Sequence, residues 1–334
     1  MTATDEPVTS TAASRSSRST HLTGGWRIVA VKEFTDHVRS VRFLLLVVLL
    51  SLAGLASVHA ATGPIRDAAE SASETPSIFL YLFTLSPQRI PAFHEFLGIL
   101  GPLLGIAFGF DAVNGERAQG TLPRLVSQPI HRDEIINGKF VAGLAAISLA
   151  LAAVMAIVGS YGALRLGVGP SWDDFVRAVG FYVVAVVYIA LWLALAILFS
   201  VLSRRAATAA LAAIAIWLVM TLFAGLIAGV IADAFHGLDA GSTTDQVLAN
   251  ARLELAVRRF SPDQLYKEAT GVLLNPSRRS TGILIAEQAG ALPSDLPVTD
   301  SLLLAWWQLI TLVAGSVVAF ALAYVSFMRQ EIRA

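Results

Sequence analysis

Long apolar stretches alternate with short polar intervals along most of the chain. Lipid offers no hydrogen-bond partner to a peptide group. A chain therefore crosses a bilayer as a helix that satisfies its own backbone, and the hydrocarbon core needs about 20 apolar residues of it. Six stretches suit that length, at residues 43–62, 91–113, 138–164, 174–202, 207–232 and 303–328. The second starts at Pro91 and takes in His94 and Glu95, because its charge-free part, Phe96 to Phe110, is too short alone. Glu95 is therefore expected at an interface rather than in mid-membrane. The pattern predicts an all-α polytopic membrane protein with six transmembrane helices.

The polar intervals are unequal in charge. Arg15, Arg18, Arg27, Lys32, Arg39 and Arg42 precede the first stretch, Arg117, Arg124, Arg132 and Lys139 lie around the second interval, Arg204 and Arg205 around the fourth, and Arg329 and Arg333 follow the sixth stretch. The first interval holds only Arg66 and Arg89, and only Arg165 and Arg177 lie around the third. An excess of Lys and Arg marks the cytoplasmic side, so both termini are expected there. The interval 233–302 is basic too, but a loop of that length does not follow the charge rule.

Residues 1–24 are rich in Ser, Thr and Ala with no apolar run, which predicts a disordered cytoplasmic tail and no signal peptide. "GWRIVAVKEFTDHVRSVRF" then sets Trp26, Val29, Phe34 and Val38 against Arg27, Lys32, Glu33, Asp36 and Arg39. That is the pattern of an amphipathic helix lying along the inner membrane surface. Within 245–270, Val247, Leu248, Ala251, Leu255, Val257 and Phe260 stand against Arg252, Glu254, Arg258 and Arg259, and Ser261-Pro262-Asp263 reads as a helix start. Two short helices on the extracytoplasmic surface are expected from this large loop.

Glycines mark close approaches. Gly101, Gly105 and Gly109 recur every fourth residue and share one face of the second helix, which Pro102 should bend; Gly225 and Gly229 repeat the spacing in the fifth. Small residues so spaced let helix backbones meet in lipid, inside one subunit or at a seam with a second. Trp172, Trp306 and Trp307 fall near the outer ends of their stretches, where indole rings anchor at the interface.

Between the second and third stretches stands a charged island, "GERAQGTLPRLVSQPIHRDEIINGKF", residues 115–140. Gly120 and Pro123 interrupt the continuing helix and Pro129 stops the next piece, which predicts a surface-lying helix of about two turns. Thr121 can cap it, and Leu122, Leu125 and Val126 give it an apolar face. Such a loop offers a rigid, charged handle to a soluble partner.

Composition narrows the chemistry. Charged residues make up 14% of the chain, against about a quarter in soluble domains. Lys and Arg together number 24 and balance 24 Asp and Glu, so the charge does not suggest nucleic acid as a partner. With no cysteine, disulfides, thiolate catalysis and cysteine-held metals are excluded. His94-Glu95 has Gly98 where H-E-x-x-H needs a second His, which removes the signal for an intramembrane metallohydrolase. Gly138-Lys139 is followed by Phe140 and preceded by no spaced glycine, so it is not a phosphate-binding loop. No catalytic residue, metal ligand or nucleotide site is expected in this chain.

The residues "DAVNGERAQGTLPRLVSQPIHRDEIINGKF" resemble the signature loop of ABC-2 type transporter permeases: an acidic residue ending the second span, Glu-Arg-x-x-Gly-Thr-Leu, a Pro-Ile-x-Arg turn, and Gly-Lys opening the third span. "VKEFTDHVRSVRFLL" resembles the segment ahead of the family's first span, and "SPDQLYKEATGVLLNP" the segment before the last span in its NosY-like branch. The likeness covers roughly residues 25–330 and makes 25–334 one permease domain. It implies a transmembrane subunit in the cell membrane of a prokaryote, driven by a separate ABC ATPase subunit that holds the ATP and Mg. A second permease subunit, as homodimer or heterodimer, and membrane lipid are the other implied partners, and export is the implied direction.

The resemblance further implies that the island meets the ATPase as a coupling helix, through Glu116, Arg117, Gly120, Thr121, Leu122, Leu125 and Pro129. Glu116 would fix the loop base by pairing with Arg117, Arg39 or a neighbouring basic group. The family includes exporters of lipids, drugs and polysaccharides and members that act in metalloenzyme maturation; the lack of Cys and the dispersed His argue against direct handling of copper. The alternatives are an ion-coupled secondary transporter and a membrane scaffold. A secondary transporter would place ionisable residues at mid-bilayer, where each costs about 2.5 to 3.5 kcal/mol on insertion scales. Glu95, Asp111 and Arg177 all fall near span ends.

Overall fold

A computed structural model of the protein describes residues 25–71, 78–86, 90–120, 131–239, 241–278, 280–281 and 296–330. The expected tail over 1–24 and the expected short helix within 121–129 lie outside them. Every regular element among the described residues is a helix. A first helix, α1 (Gly25–Arg39), leads into α2 (Val41–Ser71). Next come a short α3 (Ile78–Thr84), α4 (Phe93–Gly109) and α5 (Asn114–Ala118). The long α6 (Arg132–Leu166) and α7 (Trp172–Leu202) follow the loop. Then α8 (Ala206–Leu218) passes through a π-helical turn, Val219–Phe223, into α9 (Ala224–Phe235). The last elements are α10 (Thr244–Arg258), α11 (Pro262–Leu274) and α12 (Val298–Met328).

Six helical runs are long and apolar enough to cross a membrane: Val41–Asp67, Phe93–Ala118, Arg132–Leu166, Trp172–Leu202, Ala206–Phe235 and Val298–Met328. The chain is an all-α, multi-pass membrane protein. Most of these runs outreach the apolar stretches, because polar first and last turns hydrogen-bond as helix without reading as hydrophobic. At α6, for instance, Glu134 accepts from the backbone N–H of His131 at 3.0 Å and closes the first turn.

α7 is the central post. From Phe181 to Val201 it is buried on nearly every side, against α4, α11 and α12. Gly101, Gly105 and Gly109 of α4 all face it. A Cβ at Gly105 would stand 2.6 Å from the Ile189 carbonyl oxygen, one at Gly109 2.8 Å from that of Leu193, and one at Gly101 3.0 Å from the Ile189 side chain. This face packs inside the subunit. Pro102 has no N–H to give to the carbonyl of Gly98 one turn earlier. The Tyr188 hydroxyl of α7 donates to that carbonyl instead, at 2.9 Å.

The segment between the fifth and sixth spans differs from expectation. Both short helices exist, and Ser261-Pro262 does open the second, but α11 is wedged among α4, α7 and α12 instead of lying on a surface. Tyr266 stacks on Tyr188 with ring centres 4.6 Å apart and donates to the His94 carbonyl at 2.9 Å. On its other side Glu268, 2% exposed, accepts from Arg259 at 3.0 Å, Gln264 at 3.0 Å and Gln308 at 2.9 Å. Two of those partners come from α10's end and from α12, which periodicity within α11 does not reveal. Nearby, Arg177 donates to the carbonyls of Leu273 at 3.1 Å and Leu296 at 2.5 Å, pinning the end of α11 to the start of α12.

The fifth span is the least covered. Its buried residues are Ala209, Ala213, Ala228 and Ala232, a single stripe of small side chains. The rest of this helix stands at the perimeter of the subunit. Trp172, Trp306 and Trp307 are exposed, as side chains at a membrane interface are.

Candidate functional site at the base of the charged loop

α1 lies against the start of α6 because residue 138 has no side chain. A Cβ there would meet the Val29 Cβ at 2.8 Å and the Trp26 carbonyl oxygen at 2.9 Å. The next residue uses that closeness. Lys139 is 5% exposed, and its ammonium lies 3.1 Å from Glu33 Oε1 on α1 and 2.7 Å from Glu116 Oε1 on α5. A buried ammonium is costly unless it is paired, and here it meets two carboxylates from two elements. Burial pushes the Glu33 carboxyl up, but Lys139 and Lys32 outweigh it and hold the group below the usual carboxylate range.

The junction between α4 and α5 is capped from α7. Ser200 Oγ accepts from the backbone N–H of Val113 at 2.9 Å and of Asn114 at 3.2 Å. Asp111, in that junction, accepts from Arg42 of α2 at 2.5 Å. Arg117 turns the other way, donating to the side-chain oxygen of Gln330 and to the Val201 carbonyl at 3.5 Å. Gln330 in turn donates to Val201 at 2.8 Å, and Arg132 donates to the Gln330 carbonyl at 3.1 Å. Ends of the first, second, third, fourth and sixth spans are thereby joined in one polar layer. His37 of α1 completes it against Phe108, ring centres 4.9 Å apart, where burial lowers the imidazole's pKa.

Gly120 is the last described residue before the loop, at φ +66°, a left-handed conformation that other residues adopt at a cost. Thr121, Leu122, Leu125 and Pro129 lie outside the described residues. Glu116 and Arg117 stand where the loop leaves the bundle. Among the described residues, Lys139 meets Glu116 at 2.7 Å, while Arg117 reaches toward Gln330. Gly225 faces the Arg258 guanidinium, and nothing lies within 4 Å of a Cβ built at Gly229. No sequence motif marks Ser200 or Gln330 as functional, and Glu33 reads only as part of the polar face of α1. The Gly-Lys pair at 138–139 is a usable signal for Lys139; a lone Ser in an apolar run and a Gln past a helix end are not. Among the described residues no group of His, Asp and Glu could hold a metal ion.

The described residues form a bundle of membrane-crossing helices in which the end of the second span is braced onto the helix ahead of the first. Residues 27–332 match the family model for the ABC-2 family transporter protein, and the chain belongs to that family. It is also similar to the probable ABC transporter permease protein NosY of Pseudomonas aeruginosa, 29% identical over 255 residues that cover 75% of this chain and 83% of that protein. Membership makes the chain the transmembrane subunit of an ABC transporter, non-catalytic itself and partnered by an ABC ATPase.

Proposed function

We propose that this permease exports its substrate across the cell membrane of a prokaryote, as one of two permease subunits, and that the ATPase docks on the charged loop. The observation that carries the docking part of this reading is Lys139 held between Glu33 and Glu116. A push on the loop would reach α5 first. From Glu116 it would pass through Lys139 to α6 and α1, and from Arg117 through Gln330 to α12 and Val201 of α7. The excess of Lys and Arg around the termini and this loop supports a cytoplasmic position for all three. ATP and Mg belong to the partner in this reading, because the sequence holds no phosphate-binding loop.

The test is the complex of permease and ATPase reconstituted in lipid. Glu116→Gln and Lys139→Met should each weaken ATPase binding and transport-linked hydrolysis several-fold while membrane insertion stays normal. Wild-type binding and hydrolysis in both variants would overturn the coupling role. Vesicles that accumulate substrate only when the ATPase faces the lumen would reverse the assigned direction.

A further inference from the structure

A polar pocket of about 270 Å³ opens where the fifth span meets the α10–α11 hairpin, lined by Thr221, Gly225, Arg258, Ser261, Gln264 and Lys267 among others. Its walls are fixed on both sides. The π-helical turn places Met220 so that its carbonyl accepts from Ser261 Oγ at 2.5 Å, which staples the hairpin to the span. Gly225 lets the Arg258 side chain lie flat on α9, since a Cβ there would stand 2.6 Å from Arg258 Nη2. That gives this glycine a purpose other than helix packing.

The pocket is built for an anion. Arg258 engages a carboxylate only loosely, its Nε 3.5 Å from Glu254, and its terminal nitrogens find no acceptor among the described residues. Lys267 uses one donor on Asp263 at 2.7 Å, the one acid lining the pocket, and has two left. Each cation has one carboxylate neighbour, Glu254 for Arg258 and Asp263 for Lys267, and N–H donors to spare. The Thr221 hydroxyl is buried there without a partner. A guanidinium fork beside an ammonium is the donor set that recognises phosphate oxygens.

Depth identifies the source of the phosphate. Gly225 stands 20 residues past Arg205 along the fifth span, about 30 Å of helix at 1.5 Å per residue. That is close to the hydrocarbon thickness of a bilayer, about 30 Å, which sets the pocket in the opposite leaflet, within reach of its headgroups. Val219, Leu222 and Phe223 are exposed at the pocket's hydrocarbon side and offer a surface to acyl chains. We propose that this pocket binds the phosphate group of a membrane phospholipid, with Arg258 and Lys267 as its cationic contacts.

Binding is read on the purified permease alone, so the outcome is independent of the export and coupling reading. The probe is a short-chain fluorescent phosphatidylglycerol, compared with a diacylglycerol of the same chains and with inorganic phosphate as competitor. Arg258→Gln with Lys267→Gln should weaken phosphatidylglycerol binding by about tenfold or more. Gly225→Leu should do the same by displacing Arg258 without changing charge, and Arg252→Gln should have no effect. Tryptophan fluorescence melting identifies any variant that has lost its fold, and Lys267→Gln alone, at a half-exposed side chain, then serves in its place. Binding within about twofold of wild type in these variants would overturn the site. Equal binding of diacylglycerol would do so too, and displacement by inorganic phosphate at matching concentrations would overturn the lipid as its source.

Discussion

The Lys139 ammonium sits 2.7 Å from the Glu116 carboxylate and 3.1 Å from that of Glu33, so one cation joins the end of the second span, the start of the third and the helix that precedes the first. None of the three side chains is more than 16% exposed. Removing one member leaves opposite or like charges buried without compensation, which typically costs about 3 to 5 kcal/mol. Lys139→Met should therefore lower the melting temperature more than Glu33→Gln. It leaves two carboxylates facing one another, whereas the latter leaves a Lys with one acid. Adding Glu116→Gln to Lys139→Met should recover part of the loss. A double variant no more stable than Lys139→Met would show that the pair contributes nothing through charge.

Acid should loosen α1 from the bundle. Burial, the largest influence, lowers the His37 pKa from its usual 6.5, with Lys139 adding to the fall and Glu33, Asp111 and Asp36 opposing it. The released helix then binds more protons than the docked one just below pH 6.5, so docking weakens as pH falls through that window. Glu33 acts in the same direction lower down. Its depressed carboxyl stabilises docking above its usual 4.5 and loses that effect as pH falls through the depressed value. Amide protection factors over Gly25–Arg39, with the intrinsic exchange rate at each pH divided out, should fall from pH 7 to pH 5.5 in wild type, and His37→Phe should flatten the profile. A profile unchanged by that substitution would remove His37 from the account.

Topology can be tested without background labelling, since the chain has no cysteine. A single cysteine at Asp245, in the hairpin, should react with a membrane-impermeant maleimide added outside intact cells. One at Gln119, at the loop base, should react only after permeabilisation. The opposite result at both positions would invert the assignment of both termini to the cytoplasm.

Much of this architecture is legible in the residues alone. Hydrophobic length marks all six spans because lipid forces each crossing to be a helix. The Gly101, Gly105 and Gly109 spacing marks a packing face, yet does not say that α7 is what fills it. The burial of α11 is not legible, since Glu268 reads as a surface charge until Arg259, Gln264 and Gln308 surround it. The site at the loop base is half visible. Glu116 and Gly120 stand out in the motif, but the side chains that meet near them come from residues 33, 139, 200 and 330, separations over which no local pattern runs.

The two glycine faces should respond oppositely to substitution. At Gly105 the obstructing atoms are the Ile189 carbonyl oxygen at 2.6 Å and the Leu193 backbone nitrogen at 2.9 Å, so even a methyl group forces α4 away from α7. Overpacking of this kind costs about 1 to 3 kcal/mol or more. Gly105→Ala should cut the yield of folded protein and lower its melting temperature. Gly229→Ala meets open space and should leave both unchanged, or raise stability slightly through helix propensity. Equal tolerance at the two sites would contradict the close approach of α4 to α7.

Tyr188 and Pro102 should be coupled although they sit on different helices. The Tyr188 hydroxyl donates to the Gly98 carbonyl at 2.9 Å, and that carbonyl lacks its helical donor because residue 102 is proline. Tyr188→Phe removes the donor and leaves a fully buried acceptor unsatisfied, which costs about 1 to 3 kcal/mol. Pro102→Ala supplies a backbone N–H one turn along, so the same carbonyl can close an ordinary helical hydrogen bond. In that background Tyr188→Phe should cost much less. The double-mutant cycle, measured by denaturant unfolding in micelles, should therefore give an interaction energy of about 1 kcal/mol or more. Additive effects would mean that the tyrosine holds α7 through its stack on Tyr266 alone and that the break in the second span needs no partner.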